Sequence, residues 1–144
     1  MDLILRRKVN GKKVYREVQV KYGKLYDGGP WERKLFDRTS WRFFKEDEFT
    51  TYLNDADFFI ACVLAPDSGY QGDIFIFPVR EFIEIIRCGI PSKGQRKVYI
   101  SRLKDQENRW VLRRLGRCFS AVDDSTCLDV SKYRRDFGAL LKGV

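Results

Sequence analysis

Two β-type runs open the chain, Leu3 to Val9 and Lys13 to Tyr22, with Asn10-Gly11 between them. That dipeptide between alternating runs is the strongest short-range hairpin signal a sequence carries. In the second run Val14, Val18 and Val20 point one way, and Tyr15, Glu17, Gln19 and Lys21 the other. Asp27-Gly28-Gly29-Pro30 breaks the run as a turn. The aromatic-rich stretch Lys34 to Phe44 contains a further strand candidate at residues 40–44, and Glu46 to Asn54 reads as a short helix with an acidic first turn. Phe58 to Leu64 is a continuous apolar run suited to a strand buried on both faces, and Ile74 to Phe77 is a second. A polar loop, Pro66 to Gly72, joins them. Pro78 then opens a helix carrying Phe82, Ile83, Ile85 and Ile86, which Cys88-Gly89 stops. Lys97 to Ser101 alternates as an outer strand, and Trp110 to Leu115 reads as a strand or short helix. Ser131 opens a final amphipathic helix over about residues 131–142, with Tyr133, Phe137, Leu140 and Leu141 as its stripe and Gly143 after it.

This order predicts one domain over residues 1–144, with a core over about 2–101 and a C-terminal extension. Its class is α/β (α+β): a mixed central sheet that opens with a hairpin and is flanked by helices. No apolar run approaches the ~18 residues of a transmembrane helix, and no signal-peptide pattern opens the chain. The expectation is a soluble, intracellular (cytoplasmic) protein with no membrane partner.

Histidine is absent from all 144 residues. Imidazole bases, Ser-His-Asp and Cys-His triads and His-ligated metal nucleases are excluded together. Cys62, Cys88, Cys118 and Cys127 form no C-x-x-C pair, which argues against a zinc ribbon or a thioredoxin-like centre. The net charge of +8 is unevenly spread. Residues 1–45 hold 13 Lys/Arg against 5 Asp/Glu, and the remainder holds 15 of each. A cationic surface of this kind meets polyanions, nucleic acid first among them.

A two-residue turn at Asn10-Gly11 pairs positions whose numbers sum to 21, so Asp2 faces Gln19, and Leu3 faces Val18. Asp2, Gln19 and Lys21 then share one face, with Glu17 next along. Leu3, Leu5, Val14, Val18 and Val20 share the other, a face made for a core. A carboxylate, an amide oxygen and the Val20 carbonyl together suit a hard cation, Mg²⁺ or Mn²⁺. A lysine beside it orients the attacking water or steadies the charge building on a phosphate.

Asp-Leu-Ile-Leu (2–5) followed by Glu-Val-Gln-Val-Lys (17–21) resembles the core of the PD-(D/E)XK nuclease superfamily, the restriction-endonuclease-like fold. The later text, Asp57-Phe-Phe-Ile and Gly72-Asp-Ile-Phe-Ile-Phe-Pro-Val-Arg-Glu-Phe, is similar to small members of it, and the likeness spans about residues 2–101. Gln19 stands where most members have a second acid, and the helix many carry ahead of the first motif strand is not seen before Asp2. The resemblance implies a metal-dependent DNA endonuclease in which Asp2 and Gln19 hold the metal, Lys21 acts on water or the transition state, and Glu17 is an auxiliary acid. Double-stranded DNA is the implied partner, and cutting both strands implies a homodimer or higher homo-oligomer. An inactive nucleic-acid-binding module of the same fold and a structural or partner-binding domain are the rival readings. Lys12, Lys13 and Lys24 near the hairpin are candidate phosphate contacts. Arg38, Arg42 and Lys45 join them, interleaved with Trp41, Phe43 and Phe44, which either stack on a base or belong to the core. Arg109, Arg113, Arg114 and Arg117 form a second basic stretch, with Arg109, Arg113 and Arg117 on one face if helical.

Overall fold

The computed structural model describes residues 2–66 and 72–141. The hairpin forms as read: β1 (Asp2–Val9) pairs antiparallel with β2 (Lys12–Lys24). Asn10 and Gly11 both hold positive φ, 51° and 79°, which is the type I′ turn whose twist matches that of the flanking strands. The register sums to 21 along the whole ribbon, from Asp2↔Gln19 to Val9↔Lys12.

β4 (Phe58–Ala65) lies parallel to β2, and β5 (Asp73–Pro78) antiparallel to β4, giving a mixed four-stranded sheet in the order β1-β2-β4-β5. Between β2 and β4 the chain leaves to make β3 (Phe36–Phe44) and the short helix α1 (Asp47–Thr50). β3 belongs to a second sheet, β3-β7-β8-β9, with β6 also on β7; these are β6 (Ile90–Ser92), β7 (Gln95–Leu103), β8 (Trp110–Arg113) and β9 (Cys127–Asp129). The mixed α+β class holds, with a correction. The strands divide between two sheets, and helices are sparse: α1 is one turn and α2 (Val79–Ile86) eight residues. β7, read as an outer strand, is interior, paired on both sides by β3 and β8.

The main core is held between the two sheets. Phe58, Ile60, Cys62, Phe75 and Phe77 from the first meet Phe44, Val98, Ile100, Trp110 and Leu112 from the second, with Phe82, Ile83 and Ile86 of α2 closing it. The rings of Phe75 and Trp110 meet edge to face at 5.2 Å, joining the sheets directly. Pro78 ends β5 in extended conformation, so the helix begins one residue later than the sequence suggests.

On the opposite face of the first sheet, Val18, Val20, Phe59, Ala61 and Ile76 form a smaller cluster with Ala139 and Leu140. That cover stops at β2. Leu3 and Leu5, expected in the core, are 47% and 39% exposed, outside the apolar cluster on that side, which includes no residue of β1. The final helix is also corrected. Residues Ser131–Tyr133 and Phe137–Leu140 are separate 3-10 turns, with Arg135 between them at φ 54°. Arg134 makes a β-bridge to Phe75, the Arg135 amide bonds to the Ile74 carbonyl, and both arginines pair with the buried Asp73 carboxylate. This sheet-edge docking interrupts the helical ladder the apolar spacing favoured. Leu141 is exposed, while 142, Gly143 and most of the 66–72 loop lie outside the described residues.

Candidate functional site

Asp2, Gln19 and Lys21 stand on one face of the opening ribbon. Asp2 is directly across from Gln19, and such opposed pairs hold their Cβ atoms about 4.5–5.5 Å apart. Lys21 is two residues on from Gln19 and Glu17 two residues back, opposite Ile4. On the neighbouring β4 the same face carries Phe58, Ile60 and Cys62, so these polar groups sit at the margin of the main core.

That position marks two of them. The Gln19 amide oxygen is buried with no hydrogen-bond partner among the described residues. An unmet buried acceptor costs about 1–3 kcal/mol. The Lys21 side chain is only 16% exposed, with its ammonium 5.7 Å from the centre of the Phe49 ring. Asp2 lies on the exposed strand, and Glu17 is half-buried.

Glu48 completes the group, and the sequence did not single it out. α1 brings its carboxylate to 3.6 Å from the Lys21 ammonium, with nearly half of that side chain in solvent. The available signal was the acidic run Glu46-Asp47-Glu48, whose distance along the chain from β2 concealed the contact.

The donor set suits a hard cation of limited protein ligation. Among the described residues no three His, Cys, Asp or Glu side chains gather as a metal site. Mg²⁺, however, commonly takes one or two carboxylates and keeps several waters. Asp2 supplies a carboxylate, Gln19 an amide oxygen without a donor, and the Val20 backbone a carbonyl, all oxygen atoms.

The expected nucleic-acid contacts are dispersed over two regions. Lys12 and Lys13 are exposed at the hairpin tip, and Lys24 is exposed at the far end of β2. Arg42 donates to the Tyr22 backbone carbonyl, which brings β3 alongside the site strand. Lys21, Tyr22, Trp41 and Arg42 line one small cavity of about 20 Å³. Arg38 pairs with Asp27 at 3.5 Å, and Lys45 is exposed beside α1. Strand alternation resolves the aromatic triplet: Phe44 enters the core, while Trp41 and Phe43 are 44% and 41% exposed. They share their face with Lys97, whose ammonium lies 4.6 Å from the centre of Trp41 and 5.0 Å from that of Tyr99. Lys97 was also missed, because only the β3–β7 register aligns it with Phe43.

The second basic stretch is not a helix face. Arg113 ends β8 with its side chain 3% exposed, pairs with Glu32 at 2.8 Å, and stacks on Tyr99 at 3.7 Å. Arg109 pairs with Asp129, leaving Arg117 exposed in the following loop. All four cysteines are free, and burial pushes the Cys62 thiol up to about 12 against the pull of nearby Arg42 and Lys21. A cleft of about 900 Å³ is lined by Arg16, Asn54, Asp57, Arg80 and Tyr133 among others, and includes none of Asp2, Gln19 and Lys21. Comparison with protein-family models, curated proteins and solved structures returned no match.

Proposed function

We propose that the chain is a metal-dependent DNA endonuclease of the restriction-endonuclease-like fold. The observation that carries this reading is the Gln19 amide oxygen, buried and without a partner among the described residues, between Asp2 on one strand and Lys21 on its own. A cation on that face gives the orphaned acceptor its partner. Asp2 and Gln19, with the Val20 carbonyl, would hold Mg²⁺ or Mn²⁺, which would supply positive charge at the phosphate under attack. Lys21, largely desolvated, orients the incoming water and steadies the charge that builds on the phosphate oxygens. Water adds to phosphorus, the bond to the leaving sugar oxygen breaks, and that oxygen takes up a proton. Glu17 and Glu48 are the nearby carboxylates available to accept the proton the water gives up. Cutting both strands of a duplex takes two such sites, hence two copies of the chain.

The test is conversion of supercoiled plasmid to nicked or linear form with Mg²⁺ or Mn²⁺ at low salt. Wild type should cleave. Lys21→Ala should lose at least about 100-fold in rate, in the range typical for removing one charge-stabilising donor, while binding DNA almost unchanged. No cleavage by folded wild type with either metal overturns the proposal.

One observation favours a second reading, an inactive DNA-binding module of the same fold. Gln19 contributes no negative charge to a cation, and Lys21 already pairs with Glu48. Such a module shifts DNA with steep salt dependence and cuts nothing.

A further inference from the structure

β2 meets β4 only from Glu17 onward, where Glu17 pairs with Phe58. Before that point Lys12–Arg16 pair with β1 alone, so the distal half of the hairpin is a free two-stranded ribbon. Its charge is one-sided. From Leu3 to Arg16 the chain has six Lys or Arg and no Asp or Glu. Arg16 is tied to Asp57 at the ribbon's base. Among the described residues, Arg6, Arg7, Lys8, Lys12 and Lys13 form no ion pair, and all five are exposed. Cations gathered on a thin arm without counter-charges repel one another, a cost that a polyanion lying against them removes.

The register sorts these cations by face. Arg6 is opposite Tyr15 and Lys8 opposite Lys13, on the face that also carries Asp2, Gln19 and Lys21. Arg7 and Lys12 are on the reverse face. We infer that this ribbon is a groove-binding arm for duplex DNA, with Arg6, Lys8, Lys13 and Tyr15 running along the same DNA that occupies the candidate site. The inference rests on the nuclease reading for the direction in which the DNA runs. The dimensions fit. Paired strands lie about 4.8 Å apart, and a two-stranded ribbon fits the roughly 12 Å major groove. Lys13 is six residues from Gln19, about 20 Å of strand, or roughly six base pairs.

The test is fluorescence anisotropy of the full chain on a labelled duplex of about two helical turns, in EDTA, from about 50 to 200 mM salt. Arg6→Ala/Lys8→Ala/Lys13→Ala should weaken binding about tenfold or more and lower the slope of log affinity against log salt by about 2–3, near 0.9 per phosphate lost. Arg7→Ala/Lys12→Ala should lower it by less than about 1. The corresponding glutamine variants give the same reading should the alanine set fold poorly. An unchanged slope in the triple variant, an equal loss in the reverse-face variant, tighter binding to single strands, or equal uptake by phosphatidylserine vesicles overturns the inference. Because binding is read without metal, a protein that binds through the ribbon yet never cuts removes only the nuclease reading. An active enzyme indifferent to the triple substitution removes only the ribbon.

Discussion

Gln19 holds a polar atom where the surrounding strands would accept an apolar one. Its oxygen is buried without a donor among the described residues, while Ile60 beside it on β4 is wholly buried. Gln19→Met keeps the shape and removes the unmet acceptor. It should therefore stabilise the fold by about 1 kcal/mol in urea unfolding while abolishing metal-dependent cleavage. A variant that is less stable, or that still cuts, contradicts this account of the residue. Lys21 differs from an ordinary strand-end lysine in the same way, since Phe49 and Glu48 confine it. Asp2, Gln19 and Lys21 were legible in the sequence because hairpin pairing is set by local turn chemistry. Glu48 and Lys97 were not, because each reaches its partner only through tertiary assembly: α1 docking near β2, and β7 pairing with β3.

The hairpin depends on its turn. Gly11 sits at φ 79°, which any side chain with a Cβ resists by roughly 1–2 kcal/mol. Gly11→Val should loosen the distal ribbon while leaving the β2–β4 pairing intact, because β2 meets β4 only from Glu17 onward. Hydrogen exchange reads this as faster exchange at the amides of residues 5–16 and unchanged protection in β4; equally faster exchange across the whole sheet would count against it. β4, β5 and α2 were equally legible, since continuous apolar runs and a proline-led helix leave few alternatives. The C-terminal segment was not. Its 3.6-residue apolar spacing is real, yet Asp73 and the free edge at Ile74–Phe75 capture Arg134 and Arg135 and break the ladder. The split of the strands into two sheets was hidden for a related reason: alternation tells which side of a strand is buried, not which strand lies beside it.

Across the molecule, six of the thirteen basic residues among the first 45 lie on the ribbon, while later cations are largely tied up, Arg102 by Asp37, Arg109 by Asp129 and Arg113 by Glu32. No helix among the described residues is long and apolar enough to cross a membrane. The core between the sheets carries a pH signature. Burial raises Cys62 from 9.0 to about 12, and burial with the charges of Glu32 and Tyr99 raises Tyr26 from 10.0 to about 12. The native state keeps protons that the unfolded chain sheds, so stability present below pH 9 should be lost progressively as pH rises towards 12. Urea midpoints should show that decline, and Cys62→Ala should lessen its part between pH 9 and 10, to which the Cys127 thiol, also raised by burial, contributes the rest; an identical decline in the variant contradicts the assignment. The most decisive measurement is anomalous diffraction from crystals soaked in Mn²⁺. A peak bonded by the carboxylate of Asp2 and the amide oxygen of Gln19, beside the Lys21 ammonium, is the predicted result. Fully soaked crystals with no manganese on that face, or with manganese bound only elsewhere, would contradict it.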